Sequence, residues 1–206
     1  MLFLGVLFGL YTAAVVYALG SFLEERFPHE ETPFYTAFFS SAGVEEAVKF
    51  LFLFFLIWGN RNFNEPLDGI VYGVFVSLGF AWAENVIYVT HPILGGYETA
   101  LERALLSVPG HGLFGVRMGY YFALGKYRNR KRYLPLAFFS PYLAHALYNY
   151  FLLKREPVFW LFFSVLEVRL WVFGLKRIKE LQNCSPFRRK SIKRVLAEGE
   201  NLLEIP

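Results

Sequence analysis

The chain has 206 residues, of which 55% are hydrophobic, 20% aromatic and only 18% charged. A soluble domain usually carries about 25% charged residues, whereas the apolar residues here fall in blocks of roughly 20, the length that crosses a bilayer core. This composition excludes an ordinary soluble domain and predicts an all-α, polytopic membrane helix bundle. The net charge of +4 comes largely from the C-terminal third, which in a membrane protein indicates cytoplasmic loops and not nucleic-acid binding.

Six apolar blocks predict six transmembrane helices, near residues 2–23, 33–58, 67–90, 99–125, 133–153 and 157–177. We expect the first block to be a retained helix, because it lacks the basic start and the small-residue cleavage site of a signal peptide. The fourth block contains Pro109-Gly110-His111-Gly112 and is the candidate for a kink or break. The other prolines lie in or beside the proposed connections: Pro28, Pro33, Pro66, Pro92, Pro135 and Pro157.

The distribution of basic residues predicts the orientation of the helices. With the N-terminus in the cytoplasm, the cytoplasmic segments hold Arg61, five basic residues from Lys126 to Arg132 and eight from Lys176 to Arg194, fourteen in all. The external segments hold three. Both termini are therefore expected in the cytoplasm of a multi-pass cell-membrane protein. We expect a transmembrane helical domain over residues 1–180 and a basic cytoplasmic tail over residues 181–206, where the lone Cys184 excludes an internal disulfide.

The second span carries three charged residues near its middle, Glu45, Glu46 and Lys49. An ionisable group inside the bilayer costs roughly 2.5–3.5 kcal/mol even on lenient scales, so it indicates a function by default. Lys49 lies four residues after Glu45 and three after Glu46, so it can reach both on a helix. A structural ion pair explains one glutamate well, but two glutamates with one lysine leave a net buried negative charge. We therefore favour a functional role.

Three later spans add further polar residues. Asp68 lies at the cytoplasmic end of the third span, where helix capping is the simpler explanation, whereas Glu84 lies among apolar neighbours near the external end. The fourth span supplies His111, and the fifth supplies His145 and Asn149, which share a helix face. A lone histidine in a membrane helix often makes only an interhelical hydrogen bond. Two histidines on different helices beside several glutamates indicate more than that.

Depth favours a common location for these side chains. At about 1.5 Å per residue, four of them fall near the midplane and two in the outer half. A compact bundle of antiparallel helices can bring all six around one cavity. The predicted site comprises Glu45, Glu46, Glu84, His111, His145 and Asn149. Arg103 and Arg169 also lie in spans, but we expect them to act as charge partners or to reach an interface, and not to belong to the site.

This set of residues suits the activation of a water molecule. No serine in the spans belongs to a recognisable nucleophile motif, and His-Glu-x-x-His is absent. A glutamate can act as general base, while the histidines and the asparagine either hold a metal or stabilise an oxyanion. Two histidines and one carboxylate form an ordinary catalytic zinc set. The residues predict hydrolysis and leave the metal open.

The order of these motifs resembles the PrsW family of membrane proteases over roughly residues 35–152. The motifs that carry the resemblance are Glu45-Glu46-x-x-Lys49-Phe50, Asp68-Gly69-Ile-Val-Tyr-Gly73, Gly79-Phe80-x-x-x-Glu84-Asn85, His111-Gly112 and His145-x-x-x-Asn149. The first and last are also similar to the wider group that contains the CAAX prenyl endopeptidases. That group has histidine where this chain has Glu84, so a CAAX substrate is not expected.

The resemblance implies hydrolysis of a peptide bond in a membrane-bound protein substrate, such as an anti-sigma factor cut first on the extracytoplasmic side. It makes Glu45 and Glu46 the leading catalytic candidates. The PrsW family has been classed as metalloproteases, whereas the prenyl-endopeptidase relatives have been argued to be metal-free glutamate proteases, so Zn²⁺ remains open. If zinc is bound, the expected ligands are Glu84, His111 and His145. The expected partners are the substrate and the lipid bilayer, without nucleic acid.

Two other functions compete with the protease. A proton- or metal-coupled transporter also uses buried glutamate, histidine and lysine, but such proteins usually show inverted repeats and broken helices in both halves, and no repeat is visible here. A non-catalytic scaffold would use the polar residues only to hold helices together. Gly115-x-x-x-Gly119 is explained in that way, but the six polar residues are not.

Overall fold

A computed structural model describes residues 32–90 and 95–187, together with isolated positions between residues 7 and 26. Every regular element in this part of the chain is a helix, which confirms the predicted all-α class. Residues 32–90 and 95–187 form five long helical segments. α1 joins Pro33–Tyr35, Thr36–Gly43, Val44–Phe52 and Leu53–Ile57; α2 is Pro66–Thr90; α3 joins Tyr97–Glu102, Arg103–Ser107 and Val108–Tyr127; α4 is Arg130–Lys154; and α5 is Pro157–Asn183.

Local sequence explains where the helices begin. A proline is the first residue of α2 and α5 and of the Pro33–Tyr35 segment of α1. The N–H groups in the first turn of a helix have no acceptor within the helix, so the missing N–H of proline costs nothing there. Thr32 caps α1 by accepting a hydrogen bond from the Tyr35 backbone N–H. Asp68 accepts hydrogen bonds from the backbone N–H groups of residues 64 and 65 just before α2, which confirms its expected capping role.

The structure differs from the sequence-based expectations at two prolines and at one helix end. Pro135 lies inside α4 with Pro141, and not in a connection. Pro109 causes no break, because α3 continues through it. The irregular turn is the π-helical Arg103–Ser107 just before it, where the ordinary α-helical hydrogen-bond pattern is already interrupted. α5 continues to Asn183, beyond the expected end at residue 177. The expected first span falls largely outside the described residues, as does the tail from residue 188 onward.

The bundle carries apolar side chains on its outside and charged side chains inside. Phe55, Val168 and Leu175 are 74%, 62% and 62% exposed, whereas Glu46 and Lys49 are fully buried. A soluble protein rarely exposes so many large apolar groups, but lipid tails cover them without cost. Among the described residues, α2 and α5 are long and apolar enough to cross a membrane by length and composition. These features are those of a membrane helix bundle.

The closest helix packing joins α2 to α3 through glycines on both sides. A Cβ atom built on Gly119 would lie 2.1 Å from the Gly69 carbonyl oxygen, and one on Gly73 would lie 2.5 Å from the Gly115 carbonyl oxygen. The two backbones therefore touch directly, as small residues four apart permit. This confirms the packing role expected for Gly115 and Gly119. It also fixes α2 against α3, the two helices that carry Glu84 and His111.

Candidate active site

The centre of the site is the ion cluster on α1. Lys49 Nζ lies 2.7 Å from Glu46 Oε1 and 3.4 Å from Glu45 Oε2, so the lysine contacts both glutamates, as its spacing predicts. Glu45 is nearly buried, and Glu46 and Lys49 are fully buried. Ser41, one turn before Glu45, donates a hydrogen bond of 2.9 Å to Glu45 Oε1.

His111 connects this cluster to α2. Its Nδ1 lies 3.1 Å from Lys49 Nζ, and its Nε2 lies 3.0 Å from Glu84 Oε2. Glu84 also pairs with Arg103 at 2.7 Å. Arg103 in turn donates a hydrogen bond of 2.7 Å from Nε to Asn85 Oδ1. Its guanidinium lies over the ring of Tyr88. A chain of contacts therefore runs from the buried lysine to the arginine on the π-helical turn of α3.

His145 and Asn149 connect the cluster to α4. His145 Nδ1 lies 3.0 Å from Glu46 Oε1, and its Nε2 lies 3.1 Å from Asn149 Nδ2. Asn149 Nδ2 also donates a 2.9 Å hydrogen bond to Ser41 Oγ. The His145 ring stacks on Phe114, with ring centroids 4.6 Å apart. The contacts thus return through the serine to Glu45 and close a network over four helices.

The donors in this network decide which ring nitrogens carry protons. Lys49 Nζ and Asn149 Nδ2 can only donate, so His111 Nδ1 and His145 Nε2 accept. The remaining nitrogens then donate, His111 Nε2 to Glu84 and His145 Nδ1 to Glu46. Each histidine is therefore satisfied as a neutral imidazole with a defined tautomer.

A cavity of about 370 Å³ opens beside the network. Its wall includes Ser41, Glu84, His111, His145 and Asn149. Glu45 and Glu46 lie behind this wall, and Glu46 Oε2 has no hydrogen-bond partner within the described residues. A polypeptide segment held in the cavity would therefore meet an amide, two imidazoles and the Glu84 carboxylate directly, and the Glu45 carboxylate through Ser41.

Four side chains offer the donor atoms of a metal site. One atom each from Glu45, Glu46, His111 and His145 lies within 4.8 Å of the other three, and two carboxylates with two imidazoles suit zinc. However, Lys49 Nζ is hydrogen-bonded to three of the four. A metal ion does not fit among them while the lysine holds this position.

Glu84 is not in that group of four. It lies on the other side of His111, paired with Arg103. Its expected role as a metal ligand stays a prediction.

All six residues expected from the sequence lie in this one network. Arg103 is the charge partner of Glu84, one of the two roles expected from the sequence. It also lines the cavity, contrary to the expectation that it lies outside the site. Sequence reasoning missed Ser41. Ser41, one turn from Glu45, could have been found from helix spacing.

A membrane helix bundle with buried glutamates and histidines, and with an asparagine at a cavity wall, is the arrangement expected of an intramembrane hydrolase. The comparisons with known proteins agree. Residues 1–174 match the family model described as PrsW family intramembrane metalloprotease. The chain belongs to the PrsW family and is a peptidase, which confirms the resemblance seen in its motifs.

Several relatives named Protease PrsW share more than a third of their aligned residues with this chain. The protein from Geobacillus kaustophilus is 40% identical over 152 residues, which cover 72% of this chain and 65% of the relative, a little under two thirds of its length. The Oceanobacillus iheyensis protein is 39% identical, over 87% of this chain and 80% of the relative. The Bacillus subtilis protein is 37% identical, over 73% and 68%. No solved structure matches the chain.

Proposed function

We propose that this protein is an intramembrane endopeptidase that cuts a membrane-bound protein by means of a glutamate-activated water. The observation that carries the proposal is the closed hydrogen-bond network of glutamates, histidines and asparagine at the cavity wall. A scaffold would need no cavity at its charged residues. Site-1-type cleavage of an anti-sigma factor is the substrate hypothesis that fits the family.

Glu45 is our candidate for the general base. Its side chain keeps 6% exposure, whereas Glu46 is fully buried. Ser41 and Asn149, which both line the cavity, connect it to the substrate space. Glu46 accepts from Lys49 and His145 at the same oxygen, which suits it to holding these two side chains in place.

In the proposed reaction, Glu45 takes a proton from a water molecule whose oxygen attacks the scissile carbonyl carbon. The carbonyl oxygen becomes an oxyanion. The Asn149 amide can bind it by turning one of its two N–H donors, now bonded to Ser41 Oγ and His145 Nε2, toward the substrate. Collapse of the intermediate restores the C=O bond and breaks the C–N bond. The proton held by Glu45 passes to the departing nitrogen, leaving a carboxyl group and an amine.

The proposal places the cut on the extracytoplasmic side of a six-span protein with both termini in the cytoplasm. The cavity wall includes residues near one end of each helix, namely Thr36 of α1, Tyr88 of α2, Thr99 of α3 and Leu153 of α4. The basic segment between α3 and α4 lies at the opposite end of those helices. The positive-inside rule assigns that basic end to the cytoplasm.

The test is cleavage of a single-span substrate by the full chain in liposomes. Glu45→Gln is expected to lower the cleavage rate by at least about 100-fold, the lower end of what a general base usually contributes. Glu46→Gln is expected to lower the cleavage rate strongly as well. Glu167→Gln is the matched control. Glu167 also lies in a helix of the bundle, but the hydrogen bond described for its carboxylate comes from Trp171 and not from a residue of the site. Cleavage by both site variants at the control rate would overturn the proposal.

A further inference from the structure

Lys49 occupies the centre of the four side chains that could hold a metal. Its Nζ lies 2.7 Å from Glu46 Oε1, 3.1 Å from His111 Nδ1 and 3.4 Å from Glu45 Oε2. We propose that the ammonium group of Lys49 is the resident cation of this site and takes the place that a divalent metal would otherwise fill. The matching family is described as intramembrane metalloproteases, and the inference departs from what that description implies.

The hydrogen bonds of the ammonium group are complete. A lysine ammonium has three N–H donors and no acceptor, and three acceptors surround it, one each on Glu45, Glu46 and His111. The remaining side is covered by Phe80, whose ring centroid lies 4.3 Å from Nζ, a favourable cation–π distance. Each of the three N–H donors of Lys49 therefore has an acceptor in this position, so no hydrogen bond would be gained by moving the side chain.

The lysine has no solvent into which it could withdraw. Its side chain is 0% exposed, and Phe80 beside it is 2% exposed. A metal ion entering the group would place a second cation within a few ångströms of the ammonium in a low-dielectric interior, where like charges repel strongly. Binding of a metal would therefore require expulsion or deprotonation of Lys49, together with loss of three hydrogen bonds.

The position of Lys49 gives it a defined task in the site. It neutralises part of the charge of two adjacent carboxylates, and it holds His111 in the tautomer that donates to Glu84. Lys49 contacts the proposed base but not the substrate, so it is a positioning residue. This task rests on the proposed function, whereas the identity of the resident cation does not.

The experiment measures zinc in the purified full-length protein after exposure to Zn²⁺ and removal of the excess. Wild type and Lys131→Met, a control at an exposed lysine, are expected to retain no stoichiometric zinc and to cleave substrate in a chelator. Lys49→Met is expected to gain zinc, up to one ion per chain, because it leaves two carboxylates and two imidazoles without a cation. Adding His111→Ala to Lys49→Met should abolish that gain.

Lys49→Arg provides a second readout, because it keeps the positive charge. It is expected to stay free of zinc and to cleave faster than Lys49→Met. One zinc per wild-type chain that disappears in His111→Ala would overturn the inference, as would loss of wild-type cleavage in chelator with recovery on adding Zn²⁺. The wild-type measurements decide the matter even if Lys49→Met does not fold. Failure of the proposed function would instead appear as equal cleavage by wild type, Glu45→Gln and Glu46→Gln, whatever the zinc content.

Discussion

The contact between α2 and α3 should control both the stability and the activity of the protein. A Cβ atom on Gly119 would lie 2.1 Å from the Gly69 carbonyl oxygen and 2.7 Å from the Ile70 Cα atom. Both atoms are backbone, so no side chain can rotate away. Restoring an ordinary separation of about 3.5 Å requires the two helices to move apart by about 1.4 Å.

Gly119→Ala is therefore expected to lower the free energy of unfolding by about 1–3 kcal/mol, the usual cost of overpacking. The same movement would separate Glu84 on α2 from His111 on α3, now 3.0 Å apart. Because a displacement of about 1 Å at a catalytic group can cost about 100-fold in rate, cleavage by the folded variant should fall by a factor of that order.

The assay is denaturant unfolding in detergent micelles, followed by the fluorescence of the four tryptophans, with cleavage measured on the same samples. Gly174→Ala is the control, because its Cβ would meet only the flexible ends of Leu113 and Val116, at 3.4 and 3.7 Å. That control should change stability by less than about 1 kcal/mol. Equal stability and equal cleavage rates for the two variants would refute the argument.

Three further predictions concern single contacts. Arg103→Gln removes the ion pair with Glu84 and should lower the cleavage rate by about 10–100-fold; an unchanged rate would exclude Arg103 from the site. Asn149→Ala removes the amide at the cavity wall and should lower kcat by about 100–1,000-fold with a smaller effect on KM; the reverse pattern would assign it to substrate binding. Lys126→Met removes hydrogen bonds to the carbonyl oxygens of Trp58 and Phe63 and should cost about 1.5–3 kcal/mol of unfolding free energy, without changing cleavage by the folded fraction.

Sequence patterns predicted the helices well because lipid imposes simple rules. A spanning segment must be long, apolar and internally hydrogen-bonded, so the ends predicted for the second and third spans lie within one residue of α1 and α2. The prediction that Pro135 belongs to a connection was wrong, because a proline can lie within a helix. Pro135 and Pro141 are tolerated in α4, and composition alone does not reveal which prolines have neighbours that accommodate them.

The six site residues could be predicted because a buried charge needs a reason in a membrane. Their mutual contacts could not be predicted, because these depend on helix rotation. The π-helical turn at Arg103–Ser107 decides which way Arg103 faces, and its hydrogen-bond pattern leaves no signature in a single sequence. The central position of Lys49 was equally hidden, since spacing showed only that it could reach both glutamates.

The tautomers of the two histidines limit how protons can move during catalysis. His111 and His145 are both neutral, and the protons on their rings are held by Glu84 and Glu46. The ring nitrogen of His145 nearest the cavity residue Asn149 carries no proton, because it accepts from the amide. Neither ring therefore has a spare proton for the departing amine without first gaining one. In the proposed reaction the proton taken from water therefore returns through a carboxylate. Glu84 lines the cavity but is paired with Arg103 and His111, so our candidate to carry the proton in both directions is Glu45, which Ser41 joins to the cavity wall.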